Sequence, residues 1–129
     1  MPVDISDEGA VRIITLNRPA KLNALTLAMA TDICNAVEAA AADPSVRCLL
    51  LTGAGRAFSA GADLKEMAKR NADTAEIEAL HEAGEITVEE RSKRLSKWAG
   101  PSGTMFRLSA HPKPFIAAIN GICVAAGME

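Results

Sequence analysis

Residues 57–67 read AFSAGADLKEM, and this stretch joins an apolar segment to a polar one. The segment before it, VRCLLLTG at residues 46–53, is the kind of short apolar run that is typical of a buried strand. Asp63 and Glu66 have the spacing of a capping box, with Asp in place of the usual Ser or Thr. The pattern therefore predicts a strand, a turn of small residues and a helix that starts from Asp63.

A second strand and helix precede this turn. The β-branched run VRIITLNRP at residues 11–19 predicts a strand closed by a proline. Thr26 can cap a helix whose apolar residues recur every three or four positions, and Pro44 ends it. A strand, a helix and another strand in this order favour a right-handed βαβ crossover, so the predicted layout is α/β.

The second half of the chain continues the alternation of elements. Residues 68–98 are charged and helical in character, AGPSG at 99–103 is a polar hinge, and TMFRLSA at 104–110 is a short helical piece. KPFIAAING at 113–121 predicts another buried strand, and ICVAAGME at 122–129 the turn into a further element. Because the chain stops inside this apolar run, we interpret residues 1–129 as the N-terminal portion of one domain of a longer protein.

Composition argues against several functional classes. A net charge of −2 and 3% aromatic residues disfavour a nucleic-acid-binding surface. The three cysteines lie far apart and the two histidines complete no zinc site at the usual spacing, so no metal is expected. The odd cysteine count and the N-terminus without a signal pattern predict a cytoplasmic protein, and no apolar run approaches the roughly 18 residues of a membrane span.

The glycine-rich stretch does not fit a phosphate-binding motif. Gly53 and Gly55 begin a G-x-G-x-x-G dinucleotide-binding pattern, but Phe58 occupies the place of the third glycine. The Gly-Lys-Ser/Thr of a P-loop does not follow either. A nucleophile elbow comes closer, since AFSAG differs by one residue from G-x-S-x-G and puts Ser59 between a strand and a helix. His81 and His111 lie downstream, as the chain order of such hydrolases permits.

A backbone anion site is a further interpretation, and it uses no side chain. Ala62 stands just before the helix that Asp63 caps, so its N–H is free to point at a ligand. GICVAAGME at 121–129 is a second turn of the same character, with Ala126 well placed to supply another N–H. Two such donors form an oxyanion hole for a developing negative charge. The alternative is that each turn is only a tight loop between a strand and a helix.

Four segments, taken in order, resemble the crotonase family, the enoyl-CoA hydratase/isomerase superfamily. Three are ITLNRPAKLNAL, VRCLLLTGAGRAFSAGADLKEM and HPKPFIAAINGICVAAGME, and the fourth is the helix between the first two. The resemblance covers nearly the whole chain. It implies a crotonase-like spiral of ββα and βαβ turns whose C-terminal helices lie beyond residue 129, and an assembly as a homotrimer or hexamer.

The resemblance also implies which residues bind an acyl-CoA thioester. Family members hold the thioester carbonyl with two main-chain amides, which match Ala62 and Ala126. Glu129 matches the first of two glutamates with which hydratases manage a water molecule. Coenzyme A is part of the substrate, so no separate cofactor is implied. Its binding would involve a set of loop residues and lysines: Ala20, Lys21, Leu22, Ala60, Ala62, Leu64 and Lys65.

The activity implied by the resemblance is hydration of a 2-enoyl-CoA, because Glu129 is present. Double-bond isomerisation, which can use a single base, is the alternative within the family, and the second glutamate of hydratases lies beyond residue 129. Two alternatives come from other classes: a non-catalytic module that binds coenzyme A or a partner subunit, and a Ser59-dependent thioesterase. Ala125 and Ala126 replace glycines common at the second donor turn, where a methyl group disfavours a positive φ.

Overall fold

The computed structural model describes residues 1–98 and 108–128. In chain order its strands and α-helices are β1 (Val3–Glu8), β2 (Val11–Leu16), α1 (Leu27–Ala42), β3 (Cys48–Gly53), β4 (Ala57–Ser59), α2 (Leu64–Glu82), α3 (Val88–Ser96), β5 (Phe115–Ala118) and β6 (Ile122–Cys123). Two single-turn 3-10 helices cover Pro19–Lys21 and Ala125–Gly127. The predicted hinge, residues 104–107 of the short helical piece, and Glu129 lie outside the described residues.

Two parallel-rich sheets organise these elements. The larger sheet has the order β1-β2-β3-β5, in which β1 is antiparallel to β2 and the other neighbours are parallel. The smaller sheet pairs β4 with β6 in parallel. A ββα unit followed by βαβ connections confirms the predicted α/β fold class.

Helix α1 connects the parallel strands β2 and β3, as the sequence pattern predicts. The Thr26 hydroxyl accepts a hydrogen bond from the Met29 N–H at 3.2 Å, and the helix ends two residues before Pro44. Its buried face lies on the larger sheet. Full burial of one Val, Leu, Ile or Met side chain contributes about 1.5–3 kcal/mol to the free energy of folding. The core is formed chiefly by Ile14, Leu16, Met29, Ile33, Val37, Ala40 and Leu49.

Three strands, β1, β4 and β6, were not predicted. Residues Val3–Glu8 pair along their length with β2, although most of their side chains are exposed. Main-chain hydrogen bonds to β2 hold β1 in place at the edge of the sheet. Such a strand needs few apolar side chains, so its sequence shows little hydrophobic alternation. Ala57–Ser59, expected as part of a turn, form the short buried strand β4. Its pairing with β6 could not be seen locally, because β6 lies more than sixty residues along the chain.

The charged segment after Asp63 forms two helices. Helix α2 starts at Leu64 with Asp63 as its N-cap, as predicted, but the helical region breaks near Gly84, whose φ is +74°. Thr87 caps α3 through a hydrogen bond from the Glu90 N–H. None of the helices within residues 1–98 and 108–128 is both long and apolar enough to cross a membrane.

Candidate oxyanion site between two turns

The first turn, between β4 and α2, leaves one main-chain donor unused. The Leu25 N–H donates to the Gly61 carbonyl at 2.7 Å, and the Asp63 N–H donates to the Leu25 carbonyl at 2.8 Å. Gly61 has a φ of +94°, which an L side chain rarely adopts. Between these two bonds, the Ala62 N–H meets no acceptor in the part of the chain that the structure describes.

The second turn, after β6, also contains an unused main-chain donor at Ala126. The Gly127 N–H donates to the Val124 carbonyl and the Met128 N–H to the Ala125 carbonyl, both at 2.9 Å. The Ala126 N–H has no acceptor among residues 1–98 and 108–128. Ala125 has a φ of +49°, a left-handed conformation that alanine disfavours. It is one of the two positions at which the sequence has alanine where glycine is common in the family.

The two turns touch. A Cβ built on Gly61 would lie 2.9 Å from the Ala125 Cβ and 3.4 Å from the Ala126 nitrogen. The Val124 N–H also donates to the Ser59 carbonyl at 3.1 Å, which ties the start of the second turn to the end of β4. The two unused amides therefore belong to adjoining segments, although they are 64 positions apart in the sequence.

Two cavities of opposite character lie next to these turns. One, of about 680 Å³, has an apolar lining that includes Leu51, Phe58, Phe115 and Ala126. The other, of about 510 Å³, is lined by Arg18, Lys21, Ala24, Ala60, Ala62, Asp63, Leu64 and Lys65. Ala62 and Ala126 thus line neighbouring cavities and not one common cavity. The boundary between the cavities lies at the Ser59–Ala60 step of the chain.

Positive charge dominates the smaller cavity. Arg18 donates from Nη1 to the Asp63 carboxylate at 3.0 Å and to the Ala24 carbonyl at 2.7 Å. Lys21 and Lys65 have no ion-pair partner within the described residues. The Glu66 main-chain N–H, followed by the Arg18 guanidinium, holds the pKa of Asp63 below its ordinary value. A cavity with two uncompensated lysines favours an anionic ligand.

The structure brings together most of the predicted coenzyme A residues. Lys21, Ala60, Leu64 and Lys65 line the cationic cavity with Ala62. Ala20 and Leu22 belong to the same loop but do not line it; Ala20 is exposed. The Leu22 carbonyl accepts the Ala60 N–H at 2.9 Å, so its contact is with the first turn itself. Glu129 lies outside the described residues.

The helix start that was predicted as a capping box is only half formed. Asp63 accepts hydrogen bonds from the Lys65 and Glu66 N–H groups, as a cap should. Glu66 does not reach back to Asp63, whose N–H is already bonded to Leu25; its Oε2 accepts the Leu27 N–H at 2.7 Å instead. The N-terminus of α1 is therefore held by a side chain of α2.

Ser59 does not have the surroundings of a nucleophile. Its hydroxyl is fully buried, donates to the Asn23 carbonyl at 2.9 Å and accepts the Gly61 N–H at 3.2 Å. His81 contacts the Ile86 carbonyl, and His111 contacts the Val37 and Lys113 main chain. Neither histidine hydrogen-bonds Ser59 in the described part of the molecule, so the nucleophile-elbow interpretation lacks its base.

Asn23 was missed by the sequence reasoning, which took its loop only as polar. Its side chain is fully buried and donates from Nδ2 to the carbonyls of Ala54 and Ala57 at 3.0 and 2.8 Å. Its Oδ1 accepts the Arg18 N–H at 2.8 Å, and its φ is +54°. An asparagine in a loop, where it tolerates the left-handed conformation, was the available signal.

Comparison with known proteins decides the family. Residues 11–129 match the sequence profile described as "Enoyl-CoA hydratase/isomerase". The chain belongs to the enoyl-CoA hydratase/isomerase family. Within it, the chain is 38% identical over 125 residues to the 2,3-dehydroadipyl-CoA hydratase of Escherichia coli, covering 97% of this chain and 41% of that protein. It is 36% identical over 120 residues to the 1,2-epoxyphenylacetyl-CoA isomerase of the same organism, covering 93% and 40%.

Solved structures of the enoyl-CoA hydratase/isomerase family show the same fold. The enoyl-CoA hydratase EchA8_6 of Mycobacterium marinum is 34% identical with a TM-score of 0.73, covering 98% of this chain and 52% of that one. An enoyl-CoA hydratase of Bacillus anthracis is 31% identical with a TM-score of 0.72, covering 98% and 43%. The chain spans about two fifths of the length of the curated relatives it matches.

Proposed function

We propose that the protein containing this chain hydrates a 2-enoyl-CoA. The observation that carries the proposal is the contact between two turns whose Ala62 and Ala126 amides are unused. Preformed N–H donors at one place stabilise an oxyanion because they need no rearrangement as charge develops. The thioester oxygen would lie where the two turns meet, at the boundary of the two cavities.

The two cavities suggest how the substrate lies. The phosphates of coenzyme A are anionic, so they fit the cavity that contains Lys21 and Lys65. The main chain of Ala60, Ala62 and Leu64 would face the nucleotide portion, and the loop from Ala20 to Leu22 would run beside it. The acyl chain fits the apolar cavity beyond Ser59.

The chemistry follows from where the negative charge goes. When the oxygen of water adds to C3 of the enoyl group, the electron pair of the double bond moves onto the thioester oxygen as an enolate. The Ala62 and Ala126 N–H groups donate to that oxygen, and each donor contributes about 3 kcal/mol. Glu129 would take a proton from water, and C2 receives one when the enolate collapses.

Hydration of crotonyl-CoA by the natural full-length protein tests the proposal, since loss of the conjugated double bond lowers the ultraviolet absorbance. Glu129→Gln should reduce turnover by about 10²- to 10⁴-fold, because it removes a proton acceptor. Binding of coenzyme A, measured by calorimetry, should survive the same change. Glu85→Gln, at an exposed position between α2 and α3, is the matched control and should leave turnover unchanged. Unchanged turnover in Glu129→Gln rejects the role of this carboxylate.

Double-bond isomerisation is the second candidate. The similarity to an isomerase of Escherichia coli supports it, because the sequence identity is close to that with the hydratase. An isomerase removes a proton from C2 of a 3-enoyl-CoA and forms a dienolate. Its negative charge also lies on the thioester oxygen, so an isomerase needs the same oxyanion donors. A 3-enoyl-CoA substrate separates the two activities: only an isomerase converts it into the conjugated 2-enoyl isomer and raises the absorbance.

The assembly and the location belong to the same proposal. We expect a homotrimer or hexamer, which light scattering of the natural protein tests directly. We also expect a cytoplasmic protein that requires no cofactor besides the coenzyme A of its substrate. If the protein binds coenzyme A but turns over neither substrate, the non-catalytic alternative replaces the enzymatic one.

A further inference from the structure

Ser59 contacts both turns that carry the unused amides. Its hydroxyl accepts the Gly61 N–H at 3.2 Å, which holds the residue just before Ala62. Its carbonyl accepts the Val124 N–H at 3.1 Å, which holds the start of the second turn. One residue at the end of β4 is therefore hydrogen-bonded to each of two segments that are distant in sequence.

The position of Ser59 is itself tightly determined. Its hydroxyl donates to the Asn23 carbonyl at 2.9 Å, so the hydroxyl oxygen presents a lone pair to Gly61. Gly127 packs against it so closely that a Cβ on Gly127 would come within 2.8 Å of the Ser59 Cβ. Because Ser59 is also fully buried, neither its side chain nor the Gly127 segment has room to shift alone.

We propose that Ser59 is a positioning residue for the oxyanion site, and this inference rests on the proposed function. Its hydroxyl fixes the peptide unit before Gly61, which has a φ of +94° and, as a glycine without a Cβ, restrains the chain little by itself. With that bond in place, the segment just before Ala62 is held against the second turn, where a Cβ on Gly61 would lie 3.4 Å from the Ala126 nitrogen. Without it, the Gly61 segment loses its anchor and the two donors no longer converge on one oxygen.

Infrared spectroscopy of a bound thioester tests this inference without relying on turnover. Butyryl-CoA labelled with ¹³C at the thioester carbonyl is saturated and is not hydrated, and donation of hydrogen bonds to its oxygen lowers the C=O stretching frequency. We expect a lowered frequency in the natural full-length protein. In Ser59→Ala we expect the frequency to return most of the way to its value in water, and crotonyl-CoA turnover to fall about 10- to 100-fold with little change in KM.

Thr52→Val is the matched control. It removes the 2.9 Å hydrogen bond from the Thr52 hydroxyl to the Ala118 carbonyl, which joins β3 to β5 and involves no residue of either turn. Its bound-thioester frequency should equal that of the natural protein. The inference is overturned if Ser59→Ala retains the lowered frequency, or if Thr52→Val loses it to the same extent.

Two further outcomes are separable. If the natural protein itself binds butyryl-CoA without lowering the frequency, the proposed oxyanion site is rejected, and the role of Ser59 with it. If Ser59→Ala does not fold, Ser59→Cys replaces it, because a thiol fills the site and makes weaker hydrogen bonds. An intermediate frequency in Ser59→Cys supports the inference, and a frequency equal to that of the natural protein overturns it.

Discussion

The α-carbon of Gly61 faces the methyl group of Ala125. A Cβ on Gly61 would lie 2.9 Å from the Ala125 Cβ, closer than side chains normally approach. Both residues have a positive φ, +94° at Gly61 and +49° at Ala125. The close approach of the two turns therefore depends on glycine at one position, while alanine at the other occupies a conformation that costs about 1–2 kcal/mol.

This contact predicts that the two positions are energetically coupled. Gly61→Ala should lower the free energy of unfolding by about 1–3 kcal/mol, through overpacking and an unfavourable φ. Ala125→Gly should raise it by up to about 1 kcal/mol, since glycine adopts that φ freely. The cost of Gly61→Ala should be smaller in the Ala125→Gly background, as measured by urea unfolding. Equal costs in both backgrounds would show that the methyl contact contributes nothing.

Asn23 should be among the most sensitive positions in the fold. Asn23→Ala leaves the Ala54 carbonyl and the Arg18 N–H without their side-chain partner, and leaves the Ala57 carbonyl with only the 3.3 Å hydrogen bond from Asn120. Each unsatisfied group costs about 1–3 kcal/mol, so the loss of partners for two groups is expected to lower the free energy of unfolding by about 2 kcal/mol or more in urea unfolding. Asn71→Ala, on the exposed surface of α2, is the control and should be near neutral. A small effect at Asn23 would contradict the network.

Glu66 predicts a link between the N-termini of two helices. Its carboxylate accepts the Leu27 N–H in the first turn of α1, so Glu66→Ala should accelerate hydrogen exchange at that amide. The free energy of unfolding should fall by about 1 kcal/mol, the usual cost of losing a helix cap. Glu66→Gln keeps an acceptor and should retain most of the protection. Equal hydrogen exchange of the Leu27 amide in the natural protein, Glu66→Ala and Glu66→Gln would contradict the link between the two helices.

Asp63 predicts a specific pH dependence of stability. Because the pKa of its carboxyl is lowered in the folded protein, first by the Glu66 N–H and then by Arg18, the ionised form stabilises the fold. This contribution is complete above the ordinary value of 3.8 and is lost as the pH falls through the lower folded pKa. The stability difference between the natural protein and Asp63→Asn should therefore shrink upon acidification. Parallel pH curves would contradict this assignment.

The sequence identified the elements whose signals are local. Thr26 and Asp63 were predicted as caps and are caps, and the apolar runs after Pro44 and after Lys113 were predicted as strands and contain strands β3 and β5. The turn of small residues before Asp63 was also predicted, because glycine in a turn and an N-cap residue are both recognised from the sequence within a few positions.

What could not be predicted depends on contacts between distant segments. The residues around Ala57 contain no signal for its pairing with Ile122. Those around Glu66 contain none for the hydrogen bond that its carboxylate accepts from the Leu27 N–H. The burial of Asn23 likewise arises only when its loop folds against β4. The pairing of Ala62 with Ala126 was inferred from the two turns of small residues and from the family resemblance. The contact between those turns, through Gly61 and Ala125, is seen only in the three-dimensional structure.

Replacing one peptide N–H at a time by an ester oxygen tests the central claim most directly. Lactic acid introduced at position 62 or 126 of the full-length protein removes a single donor and keeps the side chain. Each change should reduce crotonyl-CoA turnover about 100-fold or more, equivalent to about 3 kcal/mol. The matched controls are α-hydroxy acids at Leu25 and Met128, whose N–H groups donate to the Gly61 and Ala125 carbonyls. The account predicts a clearly smaller loss at those positions; turnover that survives at 62 and 126 as it does in the controls would contradict it.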